Sequence, residues 1–146
     1  MKVAEWLKRH PSTAITVPPD CPLEKVMDRV LVERCLRDIY VVSREGKLIG
    51  HLSYQKLIHF VLAKHRAVHT RRQLMQRVAA EVSEDLMNAQ VVYAKPDEEV
   101  DNVIDRQLEH GIDDMPVIDD QGVMLGVINI HITIKEFRKN SKMIIE

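Results

Sequence analysis

An internal repeat is the feature of this sequence that most restricts its fold. Residues 38–50 (DIYVVSREGKLIG) align with residues 114–126 (DMPVIDDQGVMLG), 76 positions later, and both glycines of each segment superpose. Upstream, residues 16–20 align with residues 93–97 at an offset of 77. A repeat of this kind is one supersecondary unit that buries its apolar face against a second copy. The sequence therefore predicts two related units.

Each copy carries the same predicted order of elements, β-α-β-β-α. A short strand ends at a Pro-Asp pair, whose aspartate (Asp20 or Asp97) is predicted to cap the next helix. That helix shows apolar residues at a 3.6-residue period, and a hairpin follows in which Gly46 or Gly122 supplies a positive φ. The predicted bounds are 14–17 and 90–94 for the first strands, 39–42, 48–52, 115–118 and 123–128 for the hairpins, and 54–63 and 132–138 for the closing helices.

The repeat also sets the domain organisation. We predict an α/β fold of the α+β kind, in which two β-α-β-β-α repeats pack as a pseudo-two-fold pair. The predicted boundaries are 10–66 for the first repeat, 67–81 for a linking helix and 82–138 for the second repeat. A capping-box spacing at residues 70–73 starts the linking helix. A further short helix is predicted over residues 3–9, with Trp6 and Leu7 packing on the body.

The composition describes an ordinary soluble chain. Apolar residues make up 45% and charged residues 29% of the sequence, which excludes disordered and fibrous classes. The longest apolar run, residues 57–63, is too short for a bilayer, and the N-terminal segment lacks the apolar core of a signal peptide. Cys21 and Cys35 have no metal or redox spacing. We expect a cytoplasmic protein with reduced thiols and no membrane insertion.

Charge is distributed unevenly, although the net charge is −1. Seven lysines and arginines and no acidic residue lie between Glu45 and Glu81, whereas thirteen acidic residues lie from Glu81 to Asp120. The basic stretch favours contacts with ligand phosphates or with an acidic surface on a second copy of the chain. Scarce aromatic residues (4%) and the lack of a helix-turn-helix pattern argue against nucleic acid as a partner.

These motifs, in this order, resemble a tandem pair of CBS domains, the regulatory module also called a Bateman module. The resemblance rests on Thr16-Val-x-Pro-Asp20, on Val82-x-x-Asp85-Leu-Met and on Met115-Pro-Val-Ile-Asp-Asp-x-Gly122, and covers about residues 10–66 and 82–138. It implies a binding module without an obligatory cofactor. Its two clefts between the repeats would take AMP, ADP, ATP or S-adenosylmethionine as regulatory ligands, and pairs of this kind would assemble face to face as homodimers.

The resemblance also implies ligand contacts, residue by residue. Backbone beside the first strand and at the start of the second strand holds adenine, and a Thr or Ser with an Asp three residues later holds ribose. Carried over to this sequence, the first cleft uses Thr16, Ile39, Tyr40, Ser53 and Lys56, and the second uses Tyr93, Met115, Pro116 and Asn129.

Both copies depart from this pattern at the ribose aspartate, which is Lys56 in the first copy and Ile132 in the second. A carboxylate accepts both ribose hydroxyl protons, whereas an ammonium only donates and an isoleucine does neither. Losing such a bond costs about 1.5–3 kcal/mol of binding free energy. We therefore expect any nucleotide to prefer the first cleft, where Lys56 can meet a phosphate.

Simpler roles compete with several of these assignments. Ser53 also suits a strand-end cap, Tyr93 a half-buried strand position and Lys56 a solvated helix surface. Gly50 and Gly126 suit positions where any side chain would clash. His65 and His69, four residues apart, supply half a zinc site, and surface histidines are the better interpretation.

Two hypotheses about function follow. The first is a ligand-sensing module that regulates an enzyme or a transporter. The second is a structural dimerisation module whose clefts stay empty. The replaced ribose aspartates favour the second hypothesis, whereas Thr16, Ser53 and the nearby arginines favour the first. No nucleophile elbow, phosphate-binding loop or paired carboxylates indicate an enzyme.

Overall fold

The computed structural model describes residues 1–11, 14–32, 37–65 and 81–145. Cys35 and almost all of the predicted linking helix lie outside the described residues. In chain order the elements are α1 (Val3–Arg9), β1 (Ile15–Val17), α2 (Leu23–Val32), β2 (Ile39–Val42), β3 (Leu48–Leu52), α3 (Tyr54–His65), α4 (Ser83–Leu86), α5 (Val100–His110), β4 (Asp114–Ile118), β5 (Met124–Asn129) and α6 (Ile130–Ile145). The predicted fold class, two repeats of mixed strands and helices, is confirmed.

Two compact units divide the chain. The first unit is Ala14–Val91, and the second unit joins Met1–Thr13 to Val92–Glu146. Each unit contains the strands of one sequence repeat. The short helix that precedes each repeat belongs to the unit of the other repeat, so the boundaries inferred from the repeat, 10–66 and 82–138, remain predictions.

The first unit is built on a three-stranded sheet in the order β1-β2-β3. β1 is parallel to β2, and β2 is antiparallel to β3. One face of the sheet carries the apolar core together with α2 and α3, because strand side chains alternate between the two faces. The buried core residues are Ile15, Val17, Leu23, Val26, Val30, Ile39, Val41, Leu52, Leu57 and Phe60.

The second unit has the β4-β5 hairpin, but the predicted strand over 90–94 is wrong. In the part of the chain that the structure describes, this segment contributes one parallel bridge, between Ala94 and Val117. Residues up to Val91 belong to the first unit, where Asn88 pairs with His51. Little chain is therefore left to lie along β4.

The hairpin turns behave as the repeat predicts. Gly46 and Gly122 have φ values of 81° and 84°, which confirms the prediction of positive φ at both positions. Both hairpins also shift register at the same place, between Val41 and Val42 and between Val117 and Ile118. The two units thus share the irregularities of their backbone as well as its regular elements.

The Pro-Asp pairs form turns and do not cap helices. Cys21 N–H donates to the carbonyl at position 18, and Glu98 N–H to the carbonyl at position 95, each at 3.2 Å. α5 has Glu99 at its N-cap without a side-chain hydrogen bond, and α2 begins only at Leu23. The predicted caps Asp20 and Asp97 are therefore wrong, because each aspartate lies within its turn, before the helix starts.

The leading helices α1 and α4 dock in equivalent ways. The first two N–H groups of α1 donate to carbonyls of the turn at 95–98, both at 2.9 Å. The first two N–H groups of α4 donate to carbonyls of the turn at 18–21, at 2.8 and 3.0 Å. The predicted bounds of α1 are confirmed, and its buried Trp6 packs into the core of the second unit.

A glycine in each sheet makes room for the segment that docks there. A Cβ on Gly50 would overlap the Met87 side chain, and a Cβ on Gly126 would lie 3.1 Å from a methyl of Leu7. This confirms the expected clash at Gly50, whereas at Gly126 a side chain would make a tight contact that a small shift of Leu7 relieves.

Candidate functional site

Three side chains form a row across the first sheet, on the face away from the core. Thr16 is the Cα partner of Tyr40, and Tyr40 is the Cα partner of His51. Their strand neighbours belong to the apolar core, so alternation places the row on the opposite face. Tyr40 is 2% exposed, and its ring centroid lies 5.5 Å from that of His51. The structure thus brings Thr16 and Tyr40 together and adds His51, which sequence reasoning missed.

Asp38, just before β2, joins this row to the start of α3. Its Oδ2 lies 2.9 Å from His51 Nε2, and its Oδ1 accepts the N–H of Tyr54 at 3.2 Å. Burial alone would raise the pKa of Asp38, but the hydrogen bonds from His51 and from Tyr54 N–H hold that pKa below its ordinary value. Asp38 is therefore ionised at neutral pH, and both of its oxygens are engaged.

Ser53 caps α3, which is the simpler of the two roles predicted for it. Its Oγ accepts the N–H of Lys56 at 3.2 Å. A hydroxyl that accepts one hydrogen bond still has its own hydrogen to donate, so Ser53 retains a polar group for a ligand. Lys56 is exposed, and its Nζ lies 3.5 Å from the carbonyl oxygen of Leu86 at the end of α4. The hydroxyl and the ammonium therefore belong to the same first turn of α3.

The corresponding row of the second unit is apolar. Pro116, which is buried, is the Cα partner of Val127, so Val127 occupies the position that His51 has in the first unit. Tyr93 is 44% exposed, and its carbonyl accepts a hydrogen bond from Arg106 at 2.7 Å. The exposure of Tyr93 contradicts the half-buried strand position considered for it, because residues 90–93 pair with no strand among the residues that the structure describes.

Asn129 is engaged inside the second unit. Its Nδ2 donates to Asp114 Oδ1 at 2.7 Å, and its Oδ1 accepts the N–H groups of His131 and Ile132 at 3.0 and 3.2 Å. The side chain thus caps α6, which begins two residues earlier than predicted for this reason. Asn129 and Ser53 occupy equivalent positions in the repeat, but Asn129 has both polar atoms in use.

Two of the predicted contacts are buried core side chains. Ile39 and Met115 are both 0% exposed and pack in the first and second cores, respectively. Only the backbone of these residues is suited to a ligand contact, as the predicted role requires.

The charged stretches meet partners that are distant in sequence. His51 of the basic stretch contacts Asp38, although no acidic residue lies between positions 45 and 81. In the acidic stretch, Glu98 pairs with Arg106, and this hydrogen-bonded pair holds the pKa of Glu98 below its ordinary value. Residues 66–80, including four of the basic residues, lie outside the described residues. So do the side chain of His65 and all of His69.

A groove of about 400 Å³ lies in the second unit between α1, α5 and α6. Trp6, Asp101, Glu136 and Phe137 are among the residues that line it. His10 stacks on Trp6 with 4.1 Å between ring centroids, and its Nε2 lies 3.4 Å from Glu136 Oε1. The sequence did not predict this groove, because it depends on α1 packing against the second unit.

Neither a cluster of metal ligands nor a membrane-spanning helix is present in the part of the chain that the structure describes. Within the described ranges, no group of three or more His, Cys, Asp or Glu side chains could hold a metal ion. Among the helices that the structure describes, none has the length and apolarity needed to cross a membrane.

Comparisons with known proteins agree on one architecture. The family model described as CBS domain matches residues 7–63 and 82–137. The crystal structure of CBSX2 in complex with AMP has a TM-score of 0.73 and 15% identity, covering 96% of this chain and 98% of that chain. The CBS domain pair of protein MJ0100, with 5′-methylthioadenosine and S-adenosyl-L-methionine, has a TM-score of 0.70 and 18% identity, covering 96% and 98%. At these identities the likeness shows the fold.

One curated relative matches part of the sequence. The "Methylated protein MJ0556" of Methanocaldococcus jannaschii is 34% identical over 58 residues, which are 40% of this chain. The match spans 31% of the length of that protein.

Proposed function

Because this chain belongs to the CBS domain family and carries two copies of the domain, we propose that it is a regulatory module that binds an adenosine-containing nucleotide through its first repeat. It acts by binding and not by catalysis. A ligand regulates such a module only through different affinities for two arrangements of the protein.

The choice of ligand class is supported by what similar structures contain. CBSX2 was crystallised with AMP, and the MJ0100 pair with 5′-methylthioadenosine and S-adenosyl-L-methionine. All three ligands share an adenosine-derived part. AMP, ADP, ATP and S-adenosylmethionine are therefore the ligands proposed here, as regulators and not as obligatory cofactors.

The different hydrogen bonding of Ser53 and Asn129 is the observation that favours the first repeat as the binding site. Ser53 accepts one backbone hydrogen bond and keeps a donor, whereas Asn129 is held by Asp114 and by two backbone N–H groups. Asn129 Nδ2 has a second hydrogen, but a ligand hydroxyl that needs an acceptor would have to displace one of the N–H groups from Oδ1, and each such hydrogen bond contributes about 0.5–1.5 kcal/mol. The first repeat offers a ligand contact without that cost.

Lys56 favours a charged ligand over bare adenosine. Its ammonium lies at the first turn of α3 beside Ser53, and within the described part of the chain it forms no ion pair with a carboxylate. A phosphate can pair with this ammonium, whereas the ribose hydroxyls lose the carboxylate acceptor that the family pattern has there. We therefore expect AMP and ATP to bind more tightly than adenosine.

A thermal-shift series tests the proposal. AMP, ADP, ATP, S-adenosylmethionine, NAD and adenosine are compared at matched concentrations. A ligand present at 100 times its Kd adds about 2.7 kcal/mol of stability. Lys56→Met serves as a charge-free variant of similar length, and we expect it to lose more of the AMP shift than of the adenosine shift. No shift with any adenosine compound would contradict the proposal.

We propose that the chain forms a homodimer, because two exposed leucines occupy equivalent positions in the two repeats and suit an interface. Leu31 in α2 and Leu108 in α5 are both 68% exposed. Such apolar side chains on two helices suit a closed two-fold interface with a second copy. Sedimentation at micromolar concentration should give a dimer, and Leu31→Asp with Leu108→Asp should give a monomer. Leu125→Asp, at a residue 49% exposed on β5, is the matched control. A monomeric wild type would contradict the homodimer.

A purely structural dimerisation module is the second candidate function. The observation that favours it is that Asp38, Asp114 and Asn129 use their polar atoms within their own units. This alternative predicts a dimer with no thermal shift from any nucleotide. The regulated partner under the first proposal is an enzyme or a transporter, and the proposed location is the cytoplasm.

A further inference from the structure

His51 distinguishes the two repeats at the proposed binding surface. In β3 it occupies the position that Val127 has in β5, and the Cα partners are Tyr40 and Pro116, respectively. The His51 side chain is 26% exposed. One repeat therefore carries a titratable imidazole where the other has an aliphatic side chain.

The groups that face His51 come from three directions. Asp38 and Tyr40 approach from β2 and the residue before it. Asn88 exchanges backbone hydrogen bonds with His51, at 2.8 and 2.9 Å, and so adds no charge. α3 contributes the N–H of Tyr54, which binds Asp38. Among the described residues, Asp38 is the one charged group within hydrogen-bonding distance of the imidazole.

Protonation of His51 changes the net charge close to the residues proposed to contact the ligand. With Asp38 ionised, the His51–Asp38 pair has a charge of −1 when the imidazole is neutral and 0 when it is protonated. Asp38 is bonded to Tyr54 N–H, between Ser53 and Lys56 in sequence. The change in charge therefore falls next to the residues proposed to meet the ligand.

We propose that the His51–Asp38 pair makes the first-repeat site proton-sensitive, so that an anionic nucleotide binds more tightly when His51 is protonated. The inference rests on the proposed function and names a form of its regulation. By linkage, binding of the anion takes up a proton. In the second repeat, Val127 supplies no such pair at the equivalent position.

Calorimetric titration with AMP and with adenosine, at pH 6 and pH 8, tests this inference. The variant His51→Val reproduces the residue of the second repeat and suits a strand. The phosphate of AMP has its own titration, which acts equally on all variants, so the quantity compared is the ratio of wild-type to His51→Val affinity. We expect this ratio to rise about two- to five-fold for AMP between pH 8 and pH 6, and to stay constant for adenosine.

His51→Gln keeps a hydrogen-bond donor to Asp38 without a titratable proton, and it guards against a variant that fails to fold. It should behave like His51→Val. If AMP binds at both pH values with a constant ratio, the inference is overturned and the proposed function stands. If AMP binds at neither pH, both are overturned.

Discussion

The two units share a backbone design and differ on the sheet face that carries the predicted ligand residues. Both hairpins shift register at the same place, and both have a glycine of positive φ at the turn. On the face in question, the first unit has Tyr40 and His51 where the second has Pro116 and Val127. The comparison teaches that backbone requirements hold the repeats alike, whereas the side chains on this face differ between them even though Tyr40, Pro116 and Val127 are all buried.

The docked helices differ in a second way. α1 places the large Trp6 in the core of the second unit, whereas α4 is only four residues long and buries Ser83. Ser83 Oγ donates to the carbonyl of Pro18 in compensation. The helix docked on the second unit thus adds a large buried aromatic side chain to its core, whereas the segment docked on the first unit adds a hydrogen-bonded serine and the partly buried Leu86 and Met87.

The largest expected effect concerns this aromatic side chain. Trp6→Ala should lower the free energy of unfolding by about 3–5 kcal/mol, because it removes a large buried side chain and leaves a cavity. The loss should fall on the second unit, although Trp6 precedes the first repeat in sequence. Urea denaturation measures the free energy, and hydrogen exchange locates it in β4 and β5. Trp6→Phe, which keeps an aromatic ring, should cost less. Loss of protection confined to β2 and β3 would contradict this assignment.

A smaller loss of stability is expected from substituting the strand glycines, and it allows a direct comparison of the two units. Gly50→Ala should destabilise by about 1–3 kcal/mol, since its Cβ overlaps Met87. Gly126→Ala meets a Leu7 methyl at 3.1 Å, so a small shift of that side chain accommodates it and the cost should be lower. Thermal denaturation of the two variants gives the comparison. Gly50→Ala combined with Met87→Ala should be less damaging than the two single costs added together. Equal costs for the two glycines would show that the docked segments pack alike.

A still smaller effect concerns pH. The folded pKa of Asp38 is lowered by its hydrogen bonds from His51 and Tyr54 N–H, against the opposing effect of burial. A carboxyl of lowered folded pKa contributes stability above its unfolded pKa, about 3.9, and loses it as the pH falls through the folded value. Asp38→Asn should therefore cost about 1 kcal/mol at pH 7, and the difference from wild type should vanish at strongly acid pH. Denaturation at a series of pH values checks this, and a difference that persists unchanged at acid pH would contradict it.

The strands and the turn glycines could be predicted because they depend on local patterns. The predicted bounds of β2, β3 and α1 agree with the structure. The prediction of a strand over 90–94 failed because its first two residues belong to the first unit, which no local sequence pattern indicates. Sequence reasoning missed the contact between His51 and Asp38 because this contact depends on strand register. The alignment of the repeats nevertheless shows a difference there, since His51 of the first copy aligns with Val127 of the second. The packing of α1 in the second unit was likewise not predictable, because it depends on contacts between residues distant in sequence.

Calorimetric titration of AMP into the wild type, Ser53→Ala and Asn129→Ala tests the central claim most directly. Ser53→Thr keeps the hydroxyl and serves as the matched control, and thermal denaturation confirms that each variant is folded. We predict that Ser53→Ala weakens binding about five-fold, the worth of one neutral hydrogen bond of about 1 kcal/mol, and that Asn129→Ala and Ser53→Thr bind like the wild type. A loss from Asn129→Ala equal to or larger than that from Ser53→Ala would contradict the assignment of the nucleotide to the first repeat.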